Sequence, residues 1–358
     1  MTGEPFPVHV ADVTLPFRCV DAGDRPGPAV AAEFRRAWPS YRHWYLRQGE
    51  APRPSFVDCR DAVRAFMPEL FPDYLAYVEA IGGGDLEARF LSHWCPPPLV
   101  TACSIAMTTE PQPLLVRNYD YPPMLCDALA LRTHWSGRTV IGMADCAWGL
   151  MDGINDAGLC IAISFGGRRE VGPGFGIGLV VRYLLQVSTR TADAISRLET
   201  LPVQMSYNVA IMDARGDHAI VQVAPDRAPR LSTLPYAANR QGATEWASHA
   251  EYSGTIPRED YLASLTAFPL VDAAGFVGSF LRPPLFRPLI ESTWGTVYTV
   301  AYESGTGAMT LLWPDDDWPL SVHGQASGER PRTVLSLVPD LGALHMQEPV
   351  VHPQPYLR

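Results

Sequence analysis

A cysteine, an arginine and an aspartate occur at a spacing that could assemble a thiol nucleophile. Cys103 lies near the start of a run of small and apolar residues, and Arg117 and Asp120 follow on the next apolar run, after a turn at 110–113. Across a hairpin both side chains can lie near Cys103, where a guanidinium favours the thiolate and a carboxylate binds an ammonium group. Each residue alone also fits a structural role, because strand cysteines are usually buried and Arg/Asp pairs on strands are usually ion pairs.

The types of basic residue in the chain exclude some catalytic mechanisms. All 28 of them are arginine, and the chain also contains only four asparagines, a bias that codon usage in a GC-rich genome explains most simply. Without lysine, a Schiff-base lysine and a P-loop lysine are both excluded. A nitrogen that is basic near neutral pH must therefore come from a histidine or from an α-amine.

Charge and cysteine usage exclude several classes of partner. The net charge is −10 and no arginine-rich run carries interleaved aromatic residues, so nucleic acid is not expected as a partner. A signal-peptide pattern and a membrane-spanning apolar stretch are both missing from the sequence, so we expect a cytoplasmic protein without a membrane partner. The seven cysteines form no CxxC pair and no zinc spacing, which predicts free thiols and neither a metal nor a cofactor. The sequence does not decide whether the chain forms a homo-oligomer.

The elements that must position these residues change in type near residue 99. Apolar residues recur at helical spacing over 30–45 and 63–81, so the first hundred residues are predicted to be mainly helical. After residue 99, apolar runs separated by turn residues predict strands joined by hairpins. We therefore expect antiparallel sheets with helices outside them, rather than a doubly wound parallel sheet. The predicted hairpins are 99–121, 147–165, 205–223 and 296–313, and two helices are predicted at 178–187 and 191–200.

The order of several motifs resembles a known family. Cys103-Ser104 is followed by a hairpin with Arg-Asn-Tyr-Asp at 117–120, then by 152–159, by 207–213 and by Ala-Asn at 238–239. This order, over essentially the full length, is similar to the N-terminal-nucleophile hydrolases. It is most similar to the autoproteolytic acyl-coenzyme A:6-aminopenicillanic acid acyltransferase family, and less so to the choloylglycine and penicillin V amidases.

The resemblance implies an α+β fold, a four-layer αββα sandwich with two antiparallel sheets between helical layers. It also implies that the chain cuts itself between Ala102 and Cys103. The mainly helical fragment 1–102 would stay associated with the catalytic fragment 103–358, and the two would complete one domain. Cys103 would then carry a thiol and a free α-amine, whose unperturbed pKa of about 7.7–8.0 suits a general base.

The resemblance also implies roles for individual residues. Asp120 would hold the α-amine, Arg117 would tune the thiolate and Arg258 would complete the site. Asn208 and Asn155 would stabilise the oxyanion, although Asn155 also fits ordinary turn chemistry at a hairpin tip. Tyr121, Trp148 and Phe165 could line an aromatic pocket for the substrate, although aromatic residues at such positions are more often core packing, and Asn239 is a further candidate for substrate binding.

The four asparagines all fall on stretches that match the motifs of the family. If compositional pressure replaced asparagine wherever another residue would serve, these four positions are the ones that needed an amide. They are Asn118, Asn155, Asn208 and Asn239.

The function implied is cleavage or formation of the amide bond of a small N-acyl compound through an acyl-thioester on Cys103. An acyl thioester with an amine acceptor is the matching substrate pair for transfer, and no cofactor is required. Whether water or an amine accepts the acyl group stays open, as do the acyl group and the amine themselves. Two alternatives are a catalytically silent relative that acts as a binding protein and an unprocessed thiol hydrolase with a Cys/His pair.

Overall fold

The computed structural model describes residues 8–267, 272–288, 294–324 and 327–339. The described helices are α1 (Pro28–Tyr45), α2 (Phe56–Phe66), α3 (Phe71–Ala80), α4 (Asp85–Leu91), α5 (Ile177–Val187), α6 (Thr191–Leu198), α7 (Ala247–Tyr252), α8 (Thr255–Thr266) and α9 (Ala273–Ser279). The described strands are β1 (Val8–Asp21), β2 (Ala102–Thr108), β3 (Leu114–Tyr121), β4 (Leu129–Trp135), β5 (Arg138–Asp145), β6 (Gly149–Asn155), β7 (Cys160–Phe165), β8 (Tyr207–Met212), β9 (His218–Ala224), β10 (Arg227–Ser232), β11 (Tyr236–Ala237), β12 (Gly295–Glu303), β13 (Ala308–Trp313), β14 (Asp316–Ser321) and β15 (Gly328–Pro339).

The strands form two sheets with helices outside them. The larger sheet has nine strands in the order β10-β9-β8-β7-β6-β5-β4-β1-β15, and the smaller has six in the order β11-β2-β3-β12-β13-β14. Helices α5 and α6 pack on the larger sheet and α8 packs on the smaller one, while β2 lies against β7 where the sheets meet. The layers therefore run helix, sheet, sheet, helix, which confirms the predicted αββα architecture.

The prediction that the first hundred residues are mainly helical misses one strand. β1 pairs with β15 in antiparallel fashion and with β4 in parallel fashion, so it is an inner strand of the larger sheet. The β1–β4 pair also departs from the predicted antiparallel pairing. It can be parallel because β1 reaches the sheet from the N-terminal segment, without a hairpin to β4.

Aromatic side chains join the N-terminal helices to each other and to the larger sheet. The rings of Phe34 on α1 and Phe90 on α4 lie 6.3 Å apart, and Tyr77 on α3 meets Trp148 edge-on at 5.7 Å. Each such pair contributes about 0.5–1.5 kcal/mol beyond the burial of its surface. The N-terminal segment thus shares the core of the domain. Among the described helices, none has both the length and the apolar character needed to cross a membrane.

A tyrosine shared by two carboxyl groups also joins α1 to the larger sheet. The Tyr41 hydroxyl lies 2.5 Å from Oδ2 of Asp127 and 2.7 Å from Oδ1 of Asp145, and it accepts the N–H of Cys146 at 2.7 Å. A phenol has one proton to donate, so the second short contact requires a proton on a carboxyl group. Burial and the charge of Asp145 raise the pKa of Asp127 to about 7, and burial raises the pKa of Asp145.

We expect this shared proton to make stability fall as the pH rises from 5 to 8. The folded pKa of Asp127 lies above the unfolded value, so the stabilisation is complete below pH about 4 and is lost as the pH rises through about 7. The loss should be on the order of 1–2 kcal/mol, and Asp127→Asn should remove most of it. Urea unfolding of the Cys103→Ala chain, which should stay in one piece, measures this at both pH values.

The matched control is Asp156→Asn, because Asp156 is a partly exposed carboxylate paired with Arg138 at 2.7 Å. That variant should keep the pH dependence of the parent. Equal losses of stability in the parent and in Asp127→Asn would contradict the shared proton.

Candidate active site

Cys103 is fully buried at the second position of β2. Its Sγ lies 3.2 Å from Nη2 of Arg117 and 3.7 Å from Oγ1 of Thr101. Burial raises the pKa of the Cys103 thiol, while the charge of Arg117 opposes that rise. The structure therefore brings together the thiol and the guanidinium that the sequence analysis paired, with the thiol protonated near neutral pH.

The alternation of residues along β3 separates Arg117 from Asp120. Two residues three positions apart on a strand lie on opposite faces. Arg117 faces the larger sheet, where its Nε donates to the carbonyl of Ile163 on β7 at 2.9 Å. Asp120 faces α8, where its Oδ2 lies 3.5 Å from Nη1 of Arg258. The start of β2 thus has a guanidinium on the thiol side and a carboxylate–guanidinium pair on the other side.

Arg117 is neutralised by a carboxylate that the sequence analysis did not include among the site residues. Its Nη1 pairs with Oδ2 of Asp152 on β6, and both side chains are fully buried. The hydroxyls of Tyr298 and Tyr302 donate to Asp152 at 2.8 and 2.5 Å. An aspartate inside an apolar strand is a signal for a buried ion pair, and Asp152 begins one of the motifs used for the resemblance.

Two side chains hold the main chain of Cys103. Its N–H donates to Oδ1 of Asn239 at 3.1 Å, and its carbonyl accepts Nη1 of Arg258 at 2.6 Å. Nη2 of Arg258 also donates to Oδ1 of Asn239 at 2.6 Å. Arg258 therefore contacts both the main chain of Cys103 and the side chain of Asn239. Asn239, expected only as a substrate-binding residue, contacts Cys103 itself.

Asp120 has one carboxylate oxygen that lies in an ion pair with Arg258 but accepts no hydrogen bond among the described residues. Its Oδ1 accepts the Thr296 hydroxyl at 2.8 Å, whereas its Oδ2 is buried without a hydrogen-bond partner among the described residues. Burial raises the pKa of Asp120, and the charge of Arg258 opposes this rise. A buried acceptor without a donor is costly, so Oδ2 marks a place where an additional N–H would be stabilised.

Asn208 contacts the segment that carries Asn239 rather than Cys103 itself. Its Nδ2 donates to the carbonyls of Ala238 and Arg240 at 3.1 and 3.2 Å. These carbonyls flank Asn239, so Asn208 fixes the segment that carries Asn239. The structure shows no direct contact between Asn208 and Cys103 among the described hydrogen bonds.

The expected oxyanion role of Asn155 requires correction. Its Nδ2 donates to the carbonyls of Leu185 and Ser188, both at 2.8 Å, and its Oδ1 accepts the N–H of Leu159 at 3.0 Å. Both amide hydrogens are therefore used to join the hairpin tip to the end of α5. The alternative explanation as a turn residue fits this placement.

The aromatic candidates for substrate binding are core residues in this structure. Trp148 packs against Tyr77, and its Nε1 donates to the carbonyl of Leu91 at 2.9 Å, which corrects its expected role. Tyr121 is buried and lies edge-on to Trp294. Phe165 is nearer the site, because its carbonyl accepts Nδ2 of Asn239 at 3.1 Å.

A small apolar cavity lies between the N-terminal helices and the larger sheet. Its volume is about 20 Å³, enough for roughly one water molecule and far below the 300–1,000 Å³ of typical ligand pockets. Its lining includes Trp44, Phe90, Leu99, Cys146, Met151 and Tyr207. Among the described residues, no group of three or more His, Cys, Asp or Glu side chains is placed to hold a metal ion.

Residues 107–244 match the family described as acyl-coenzyme A:6-aminopenicillanic acid acyl-transferase. This match confirms the resemblance drawn from the sequence over that part of the chain. No curated protein is similar enough to the chain to count as a match.

Three solved structures show a weak likeness to the chain. Penicillin V acylase from Agrobacterium tumefaciens is 13% identical, with a TM-score of 0.42 over 62% of this chain and 86% of that one. A mutant conjugated bile acid hydrolase from Clostridium perfringens is 11% identical, with a TM-score of 0.42 over 65% of this chain and 96% of that one. The Caenorhabditis elegans ortholog of N-acylethanolamine-hydrolyzing acid amidase is 11% identical, with a TM-score of 0.42 over 61% and 99%.

Removing the charge of Arg117 should destabilise the protein through its partner. Arg117→Met leaves Asp152 buried and unpaired, so we expect a loss of about 3–5 kcal/mol in the free energy of unfolding. Adding Asp152→Asn should recover most of that loss, because the buried charge is gone. Urea unfolding of both variants measures the difference.

Arg138→Met is the matched control, since its partner Asp156 is partly exposed, and it should cost about 0–1 kcal/mol. If the double variant is no more stable than Arg117→Met, the ion pair is not the cause of the loss.

Proposed function

We propose that the protein cuts itself between Ala102 and Cys103 and then acts as an amide hydrolase or acyltransferase on a small N-acyl compound. The observation that carries the proposal is the arrangement around Cys103. Its sulfur lies beside Arg117, and its N–H and carbonyl are held by Asn239 and Arg258. The match of residues 107–244, which begins just after β2 passes Cys103, to an acyl-transferase family supports acyl chemistry in this chain.

In the first reaction, Sγ of Cys103 attacks the carbonyl carbon of Ala102, which lies next to it in the chain. The C–N bond breaks, a thioester forms and the thiol proton ends on the leaving nitrogen. Water then hydrolyses the thioester, which yields a carboxylate on Ala102 and a free thiol and α-amine on Cys103. No cofactor enters either step.

The freed α-amine would find acceptors already in place. In the uncut chain the Cys103 nitrogen carries one hydrogen, which goes to Oδ1 of Asn239. After the cut it carries two or three, and Oδ2 of Asp120 is the unused acceptor near this end of β2. An α-amine has an unperturbed pKa of about 7.7–8.0, so it can take the thiol proton near neutral pH.

Turnover follows the same route with an external substrate. The Cys103 thiolate, favoured by Arg117, attacks the carbonyl of an amide or acyl thioester, and the α-amine protonates the leaving group. Asn239 accepts the N–H of Cys103 and would position this residue for attack, while Asn208 keeps the segment of Asn239 in place. The acyl-enzyme is then released to water or to an amine, so both amidase and transferase outcomes use one site.

After the cut, the two fragments would remain one domain. Fragment 1–102 contributes β1 to the larger sheet and aromatic residues of α1, α3 and α4 to the core. The unprocessed Cys/His alternative has less support, because no histidine ring hydrogen-bonds to the Cys103 sulfur among the described residues.

Self-cleavage predicts two fragments in the purified protein. The intact mass should give way to the masses of 1–102 and 103–358, and Cys103→Ala should remain a single chain. Cys160→Ala is the matched control, since Cys160 is an equally buried thiol on β7 and should leave cleavage unchanged. An uncut wild-type protein with full amidase activity would overturn the proposal.

Asn239 and Asn155 should behave differently when changed to alanine. We expect Asn239→Ala to slow self-cleavage by about 10²-fold or more, the usual effect of losing a preorganised polar partner of the reacting group. Asn155→Ala should lower stability and leave the cleavage rate of the folded protein within about threefold, because its amide lies at the end of α5. Mass spectrometry after denaturant-jump refolding follows both rates, and the reverse ranking would contradict the assignment.

A further inference from the structure

Four buried polar atoms of the domain stand out because they have no hydrogen-bond partner among the described residues. They are Oδ2 of Asp120, Nη1 of Arg287 and both ring nitrogens of His249. A buried polar atom without a partner is costly, so each of them marks a place where a further polar group would be stabilised. The α-amine of Cys103 is the proposed partner of Asp120, whereas the proposed mechanism uses neither Arg287 nor His249.

Hydrogen bonds tie Arg287 to the end of β3 that carries Asp120. The main-chain N–H of Arg287 donates to Oγ1 of Thr296 at 2.9 Å, and the Thr296 hydroxyl donates to Oδ1 of Asp120 at 2.8 Å. Nη2 of Arg287 donates to the carbonyl of Tyr252, the last residue of α7, at 2.8 Å. Ala102 belongs to the same end, because it lies directly opposite Asp120 in the β2–β3 register. Residues opposed in this way have Cα atoms about 4.5–5.5 Å apart and side chains on the same face.

His249 lies on α7 beside the residues that hold the main chain of Cys103. Its ring is 5.1 Å from the ring of Phe165, whose carbonyl accepts Nδ2 of Asn239 at 3.1 Å. Asn239 in turn accepts the N–H of Cys103 at 3.1 Å. His249 is only 2% exposed, so water from outside does not satisfy its nitrogens.

The ring of His249 is neutral and has two cations nearby. Burial lowers the pKa of His249 to about 4, and the charges of Arg258 and Arg287 lower it further, while the main chain of Thr101 opposes the fall. A neutral imidazole keeps one N–H donor and one acceptor nitrogen. Thr101 directly precedes Ala102, so the ring lies beside the segment that enters the cleavage site.

The cations around Asp120 outnumber the carboxylates. Arg258 forms an ion pair with Asp120 at 3.5 Å, and Arg287 forms none within the part of the chain that the structure describes. Glu259, also on α8, is paired with Arg240. Burial and the charge of Arg287 lower the pKa of Arg258, and the charge of Asp120 opposes this. The two guanidinium groups therefore share one carboxylate, and one more negative charge would be stabilised beside them.

We propose that Arg287 and His249 form a binding site for the carboxylate that self-cleavage leaves on Ala102. The inference rests on the proposed function. The cut supplies what the unpartnered atoms lack, because the α-amine brings donors to Oδ2 of Asp120 and the carboxylate brings acceptors to Nη1 of Arg287 and to the N–H of His249. Without a cation, the new carboxylate would be a buried charge repelled by Asp120 one strand away. Binding at Arg287 offsets that repulsion and keeps the end of the N-terminal fragment in place.

Digestion with carboxypeptidase Y tests whether the new end is held. The protease removes residues from a free C-terminus, so a held end is trimmed only while it is out of its site. The self-cleaved wild-type protein should lose Ala102 at least about tenfold more slowly than a synthetic peptide of residues 93–102, as followed by mass spectrometry. Trimming of the C-terminus of fragment 103–358 in the same sample gives a reference for the activity of the protease.

Arg287→Met and His249→Phe separate a binding site from simple burial of the end. Each variant keeps a side chain of similar size and loses the donor. Trimming of Ala102 should become at least about tenfold faster in Arg287→Met, the effect of one lost charge-assisted hydrogen bond, and about threefold faster or more in His249→Phe. Arg287→Lys keeps the charge and should stay within about threefold of the wild type. Arg282→Met is the matched control, since Arg282 is exposed in the same segment, and it should leave the rate unchanged.

A wild-type end that is trimmed as fast as the synthetic peptide overturns the inference without any variant. Unchanged trimming in both Arg287→Met and His249→Phe overturns it as well. The proposed function stands in both cases, because the cut has occurred. A wild-type chain that does not cut itself overturns the proposed function, and the inference falls with it.

Discussion

The ion pair between Arg117 and Asp152 joins the two sheets at the place where Cys103 lies. A guanidinium without solvent is costly, and here it is accommodated by a carboxylate, the Ile163 carbonyl and the hydroxyl of Tyr298 at 3.1 Å. These partners come from β6, β7 and β12, so the charge of Arg117 fixes β3 against the larger sheet. The same charge lies 3.2 Å from the Cys103 sulfur. Packing of the sandwich and the pKa of the Cys103 thiol thus both depend on one buried cation.

The second constraint is the alternation of side chains on β3. It places Arg117 on the inner face and Asp120 on the face toward α8, so the two charges do not neutralise each other. Cys103 then has the guanidinium of Arg117 beside its sulfur, while the carboxylate of Asp120 lies on the opposite face of β3, where the proposed α-amine would use it. One residue that acts as both nucleophile and base needs these two different surroundings.

The sequence predicted the parts of the site that depend on local pairing. The hairpin of β2 and β3 follows from its apolar runs and its turn, and it brings Arg117 to Cys103 as expected. The sequence could not reveal Asp152 as the partner of Arg117, because that contact crosses between two sheets. The same limit explains β1, whose neighbours β4 and β15 are distant in the chain. Local patterns define hairpins, whereas contacts between layers depend on how the whole domain packs.

The four asparagines show what the compositional bias preserved. Each is buried, and the amide of each donates to a main-chain carbonyl: Asn118 to Phe280, Asn155 to Leu185, Asn208 to Ala238 and Asn239 to Phe165. Aspartate is isosteric but cannot donate when ionised, and a buried carboxylate facing a carbonyl would be repelled. The need for an amide at these positions is therefore a need for a neutral donor that joins two segments. Only Asn239 both donates to a main-chain carbonyl and contacts Cys103, because its Oδ1 accepts the N–H of that residue.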